Sequence, residues 1–150
     1  MSTSKSLGEL MYEGHFKITG VTEYGASLAA IMSGEAPPPP TGLRVDVAFE
    51  GPVTGRVAGT MRGVDYLNVR ADGRTQLDVR GSLVTEDDVM IACAIGGVAH
   101  PADDAPTTAL REHVQLTTAA PEYAWVNELE LWGVGKVDLA AGTIDVEVFG

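Results

Sequence analysis

The sequence predicts an all-β protein: one closed antiparallel β-barrel of about eight to nine strands, with one short helix near residues 22–34. Three observations carry this. Nine short runs alternate apolar and polar residues, the period of a half-buried strand. Glycine is frequent, 18 of 150 residues, and falls between and within those runs. Long helical periods are few. Nine short strands in one domain fit either a barrel or a sandwich, and closure favours the barrel because it removes exposed strand edges.

The runs are, in order, Leu10 to Thr19, Leu43 to Phe49, Val53 to Arg62, Tyr66 to Arg70, Gln76 to Val84, Val89 to Val98, Leu110 to Thr117, Trp125 to Val137 and Thr143 to Phe149. Between the first two, Tyr24, Leu28, Ile31 and Met32 share one helical face, with Thr22 placed to cap the start and Gly34 the end. Pro37 to Pro40 then form an extended connector. The segment His100 to Ala109, with its prolines and aspartates, reads as a loop crossing one barrel end.

The segment Gly63 to Arg80, GVDYLNVRADGRTQLDVR, is the most informative. A two-residue Asp72-Gly73 turn would set Leu67 against Asp78 and mix apolar with charged side chains on both faces, which a sheet rarely tolerates. A three-residue loop, Ala71-Asp72-Gly73 with Gly73 left-handed, pairs Leu67 with Leu77 and Tyr66 with Asp78. That register puts Leu67, Val69, Leu77 and Val79 on one face. Tyr66, Asn68, Arg70, Gln76, Asp78 and Arg80 take the other.

At 150 residues the chain makes one domain, residues 1–150, able to bury about two thirds of its unfolded surface. Its net charge of −11 repels phosphate backbones, so nucleic acid is not an expected partner. No run of eighteen uncharged apolar residues exists, and Met1 to Leu10 lacks the apolar core of a signal peptide. The expectation is a cytoplasmic protein with no membrane partner, and self-association into a homo-oligomer is compatible with the sequence. Cys93 lies in the apolar run VMIACAIGGVA with no basic neighbour to lower its pKa, so it reads as a small buried filler rather than a nucleophile.

Several of these segments together resemble a known family, the bacterial and fungal proteins grouped as domain of unknown function 3237. The matching pieces are FEGPVTG (Phe49 to Gly55), G-x-D-aromatic (Gly63 to Tyr66), VRADG (Val69 to Gly73), LDVR (Leu77 to Arg80), PEYAWVN (Pro121 to Asn127) and GVGK (Gly133 to Lys136). The chain departs from the family pattern at Tyr66, where Trp is usual, and between Tyr24 and Pro40. The resemblance implies a compact β-barrel. It implies no reaction, since a fold does not dictate chemistry.

Candidate chemistry gathers on the polar hairpin face. Tyr66, Asp78 and Arg80 form an acid/base and anion-holding set: Asp78 orients or ionises a neighbour, Arg80 holds a carboxylate or enolate, and Tyr66 donates a proton. Asn68 and Arg70 extend it as binding residues. The same alternation is also what a solvated outer face looks like. Tyr123, Trp125 and Asn127 alternate on one face of their run, as aromatic lining around an oriented amide, or as a core edge. His15 shares a strand face with Glu13 and Lys17, as a general base or a surface histidine. His15, His100 and His113 lack metal-ligand spacing, so no metal and no cofactor is expected. Gly51, Gly55, Gly59 and Gly63 recur every four residues, marking either barrel curvature or a smooth wall open to a ligand.

The function expected from these residues is binding of a small amphipathic molecule with a carbonyl or oxygen anion. The class is an acid/base enzyme, an isomerase, cyclase or lyase that needs no cofactor. The alternatives are a noncatalytic ligand-binding barrel and a structural or assembly protein whose interior is filled.

Overall fold

The structure, a computed structural model, describes residues 8–103 and 107–150. The described residues form eight strands: β1 (Leu10–Glu23), β2 (Leu43–Gly55), β3 (Gly59–Val69), β4 (Thr75–Thr85), β5 (Met90–Pro101), β6 (Thr108–Thr117), β7 (Leu131–Asp138) and β8 (Thr143–Phe149). Each pairs antiparallel with the next, and β8 returns to β1, closing the barrel. A short helix, α1 (Leu28–Met32), lies between β1 and β2, and a 3-10 segment (Pro121–Glu128) between β6 and β7.

Eight strands replace the nine expected runs because the run Val53 to Arg62 is a hairpin. β2 continues through Pro52 to Gly55, and the chain reverses over residues 56–58 into β3, whose end is the expected strand Tyr66 to Arg70. Pro52 is tolerated because the β1–β2 ladder lapses there: Gly14 pairs with Val53 and Lys17 with Glu50, and the pairs between are missing. The four-residue glycine repeat therefore spans two strands. A Cβ on Gly51 would run into the His15 carbonyl of β1, and one on Gly63 would lie 2.6 Å from the Arg80 carbonyl of β4. These glycines serve close backbone approach in strongly coiled strands.

The helix is shorter than expected and starts later. Val21, Thr22 and Glu23 pair with Val47, Asp46 and Val45, so β1 absorbs the predicted first turn. A full ladder outweighs the weak preference of a short helix. Ser27, not Thr22, is the cap, its hydroxyl accepting from Ala30 N–H at 3.2 Å, while the Glu23 carboxylate accepts from Leu28 N–H at 2.7 Å. Tyr24 falls outside the helix. The segment predicted as the strand Trp125 to Val137 is also divided, its first part being 3-10 from Pro121, where a ring at the first helical position is favourable. Of the predicted loop His100 to Ala109, residues 104–106 lie outside the described residues.

The register of the β3–β4 hairpin is the three-residue one. Asn68 stands opposite Gln76, Val69 opposite Thr75 and Asp65 opposite Val79, and Gly73 has φ +90°. Arg70 N–H donates to the Arg74 carbonyl (2.8 Å) and Gly73 N–H to the Arg70 carbonyl (2.9 Å), closing the turn. Leu67, Val69, Leu77 and Val79 are consequently buried inside the barrel, and the polar face looks out.

The barrel has a filled end and an open end. Toward the 3-10 segment, Val57, Leu83, Ile91, Val126 and Val148 are fully buried, Val126 reaching in from that segment as a stopper. The other end, where α1 and the β3–β4, β5–β6 and β7–β8 turns lie, encloses a cavity. No helix among the described residues is long and apolar enough to cross a membrane.

A β-branched residue at Gly73 must adopt a left-handed backbone, although nothing lies within 4 Å of the position its Cβ would occupy. Gly73→Val is therefore expected to destabilise the protein by about 1 kcal/mol or more through conformation alone. Chemical denaturation measures it, and an unchanged midpoint would contradict this turn.

Candidate functional site

The cavity follows from inward alternation. Inward positions on adjacent strands carry Phe16, Val47, Phe49, Leu67, Leu77 and Val79, and α1 lays Leu28 and Met32 across the mouth. About 80 Å³ remains unfilled, room for several waters or one small organic molecule. Among the described residues the lining is apolar except for Tyr12, Asp65, Thr108 and Glu112.

These groups sit where the apolar stripe should be. Asp65 has the parity of Leu67 and Val69 on β3, and Glu112 that of Leu110 and Val114 on β6. Glu112 is 9% exposed, and its register partners are Gly97 on β5 and Gly133 on β7, neither with a side chain to crowd it. Asp65 is anchored in the wall. The β3–β4 ladder lapses at Tyr66 and Leu67, and there the freed Asp78 N–H donates to Asp65 Oδ1 at 2.9 Å. Tyr12 is 1% exposed, and its hydroxyl has no hydrogen-bond partner among the described residues. Leaving such a buried group unpaired costs about 1–3 kcal/mol.

Burial in this apolar space disfavours charge. It lifts the Glu112 carboxyl to about 7, and the charge of Asp65 adds to the effect. It lifts Asp65 to about 6, with the Asp78 N–H working against the rise. The Tyr12 hydroxyl is pushed well above its ordinary range by burial, then by Glu112 and Cys93. Tyr12, Glu112 and Asp65 thus form an interacting series around one cavity. Cys93 is buried and lifted to about 12 by desolvation, as suits a filler.

The residues expected to form the site lie elsewhere. Tyr66, Asp78 and Arg80 are on the outer wall, where the Asp78 and Arg80 side chains are 61% and 74% exposed and only 3.7 Å apart. The hairpin register that separates the faces also turns the polar one to solvent, because the apolar one must fill the barrel. Asn68 is exposed beside them, and Arg70 pairs with Asp72 at 2.8 Å. The Arg44 guanidinium lies 5.1 Å from the Tyr66 ring and 5.4 Å from the Tyr24 ring, and its Nε donates to Asp46 at 2.7 Å. His15 is external too, its Nδ1 2.7 Å from Asp145 Oδ1, which raises its pKa.

Tyr123, Trp125 and Asn127 are brought together, but at the filled end and not on a strand face. The Tyr123 hydroxyl donates to Asp87 Oδ1 (2.8 Å), and the Arg56 guanidinium covers the Trp125 ring at 4.9 Å. Asn127 bridges the backbone of Thr118, accepting from its N–H (2.9 Å) and donating to its carbonyl (2.8 Å). Their work is to fasten the stopper. None of the three lines the cavity.

The fold agrees with comparisons to known proteins. The family model described as "Protein of unknown function (DUF3237)" matches residues 45–149. The chain belongs to this DUF3237 family. Its matched region holds Asp65 and Glu112, whereas Tyr12 precedes it. No curated protein matches the chain. Among solved structures it is similar to a β-barrel-like protein from Acinetobacter baumannii AYE, with a TM-score of 0.76 and 18% identity over 94% of this chain and 92% of that one. A protein of unknown function from Clostridium acetobutylicum gives a TM-score of 0.74 at 16% identity, covering 93% and 95%. A third, from Penicillium herquei and described as an enzyme, gives 0.61 at 17% identity over the full length of both. At these identities the likeness concerns the fold.

Two outcomes follow for this DUF3237 protein. Asp65 and Glu112 bind protons more tightly folded than unfolded, so each contributes stability present below the unfolded carboxyl range and lost as pH rises through about 6 and about 7 respectively. Glu112→Gln should then be more stable than wild type at pH 7.5, by on the order of 2 kcal/mol, and gain nothing at pH 4. Denaturation midpoints at both pH values check this; equal gains at both would contradict it. Arg80→Ala should shift stability by less than about 0.5 kcal/mol, as for an exposed side chain.

Proposed function

We propose that this barrel is an acid/base enzyme acting on a small, largely apolar molecule, with Tyr12, Asp65 and Glu112 as its working groups. The observation that carries the reading is the Tyr12 hydroxyl, without a hydrogen-bond partner among the described residues, sharing an apolar cavity with the buried Glu112 and half-buried Asp65 carboxyls. Polar groups without partners in a dry interior are costly, and such costs concentrate where a ligand supplies the missing partner. Two carboxyls pushed upward by different amounts divide the labour: Glu112 keeps its proton near neutrality more readily and serves as acid, and Asp65, with a backbone N–H to steady its charge, serves as base. Isomerase, cyclase and lyase reactions all need only such proton movement. The enzyme description of the Penicillium herquei neighbour is consistent with this class.

Of the ligand chemistries expected from the sequence, the carbonyl suits this cavity and the oxygen anion does not. Among the described residues no Lys, Arg or His lines the cavity, so an anion would meet two acids and no counter-charge. Turnover of small uncharged carbonyl compounds tests the reading. Asp65→Asn and Glu112→Gln should each lower kcat/KM by about 100-fold or more, the scale of general acid/base catalysis, in folded protein. Ligands that bind and are never turned over would favour the noncatalytic barrel instead.

A further inference from the structure

We propose that the substrate is an uncharged, enolisable ketone whose carbonyl oxygen accepts hydrogen bonds from both Tyr12 and Glu112, while Asp65 moves a proton between its carbon atoms. The inference rests on the acid/base reading above and adds the substrate class. Three structural features support it.

Tyr12 offers a phenolic O–H with no acceptor among the described residues, so the missing group is an acceptor. Glu112 lines the same cavity, of which about 80 Å³ is unfilled, so a ligand atom has room within the enclosure. Asp65 is already tied by one oxygen to Asp78 N–H at 2.9 Å, which fixes the carboxylate in the wall and leaves its other oxygen without a hydrogen bond among the described residues. Two donors and one fixed base in an apolar enclosure match the needs of enolisation: donors where negative charge develops on oxygen, a base at the adjacent carbon.

The atoms balance without a co-reactant. The other Asp65 oxygen takes the proton from the carbon beside the carbonyl. The C–H electron pair becomes the enolate C=C bond, and the carbonyl π pair moves onto oxygen, where Tyr12 and Glu112 stabilise it. In a β,γ-unsaturated ketone the product of this step is a dienolate: the oxygen pair re-forms the C=O, the enolate C=C pair moves between the α and β carbons, and the β,γ pair takes the proton back from Asp65 at the γ carbon. The double bond has moved into conjugation, with nothing oxidised or reduced.

The pH response is set by few groups. Asp65 on β3 and Tyr12 on β1 line the cavity with Glu112, and the buried Cys93 on β5 acts electrostatically on Tyr12. Arg111 and His113, the strand neighbours of Glu112, point to solvent. The α1 residues over the mouth that line the cavity, Leu28 and Met32, do not titrate.

The test uses three six-membered-ring probes of one size, cyclohexanone, cyclohexylamine and cyclohexanecarboxylate, with binding read by ligand-observed NMR from pH 5.5 to 8.5. Cyclohexanone should bind, weaken about tenfold as Glu112 ionises through about 7, and lose about tenfold in Tyr12→Phe, a variant that discards a hydroxyl with no partner among the described residues and so keeps the fold. The carboxylate should not bind at any pH. Isomerisation of cyclohex-3-en-1-one in D2O should proceed with wild type and fall at least 100-fold in Asp65→Asn, while that variant still binds cyclohexanone. Cyclohexylamine binding that tightens with rising pH, or cyclohexanone binding that ignores pH and Tyr12→Phe, overturns the ketone assignment and leaves the acid/base reading standing. Cyclohexanone bound as expected, with cyclohex-3-en-1-one neither isomerised nor deuterated, overturns the catalytic reading itself.

Discussion

Closure of β8 onto β1 is the interaction on which the rest depends. Once Phe16 pairs with Ile144 and Gly14 with Val146, every strand has two neighbours and one face per strand is committed to the interior. A slip of one residue anywhere would carry an entire apolar stripe outward. The charge of the chain, strongly acidic overall, is therefore displayed on the outer wall, where Arg44 with Asp46, Arg56 with Glu9 and His15 with Asp145 make exposed pairs of small energetic value.

Within that frame the two ends are used differently. The filled end is held by a stopper whose polar residues fasten it: Asn127 to Thr118, Tyr123 to Asp87, Arg56 over Trp125. Packing there resembles an ordinary core. The other end leaves a cavity unfilled, with a five-residue helix as cover. Tyr12 links the two ends: its strand position, opposite Gly55 and Val148, is toward the filled end, and its side chain lines the cavity.

The site is itself a local conflict between sequence levels. Asp65 and Glu112 hold positions that alternation reserves for apolar residues, and Tyr12 keeps a hydroxyl that makes no hydrogen bond among the described residues. In a chain otherwise consistent in its patterning, such violations mark function more often than error. The polar hairpin face around Tyr66, Asp78 and Arg80 violates nothing, and it is solvated.

Much of the fold was legible in the letters. Alternation identified the strands, and the demand that Leu67, Val69, Leu77 and Val79 share a face identified the hairpin register and its left-handed Gly73, because both are short-range consequences of a two-residue period. The signal for the site was also present, as acids in phase with apolar stripes, at Asp65 and Glu112. Which face turns inward, however, is a property of closure and not of one strand. The same holds for the continuation of β1 to Glu23, which depends on partners distant in sequence, as in Thr22 with Asp46. Local sequence determined the strands, the turn and the two faces; the tertiary structure decided that the apolar face encloses the cavity, because only the closed barrel brings Tyr12 of β1, Asp65 of β3 and Glu112 of β6 around it.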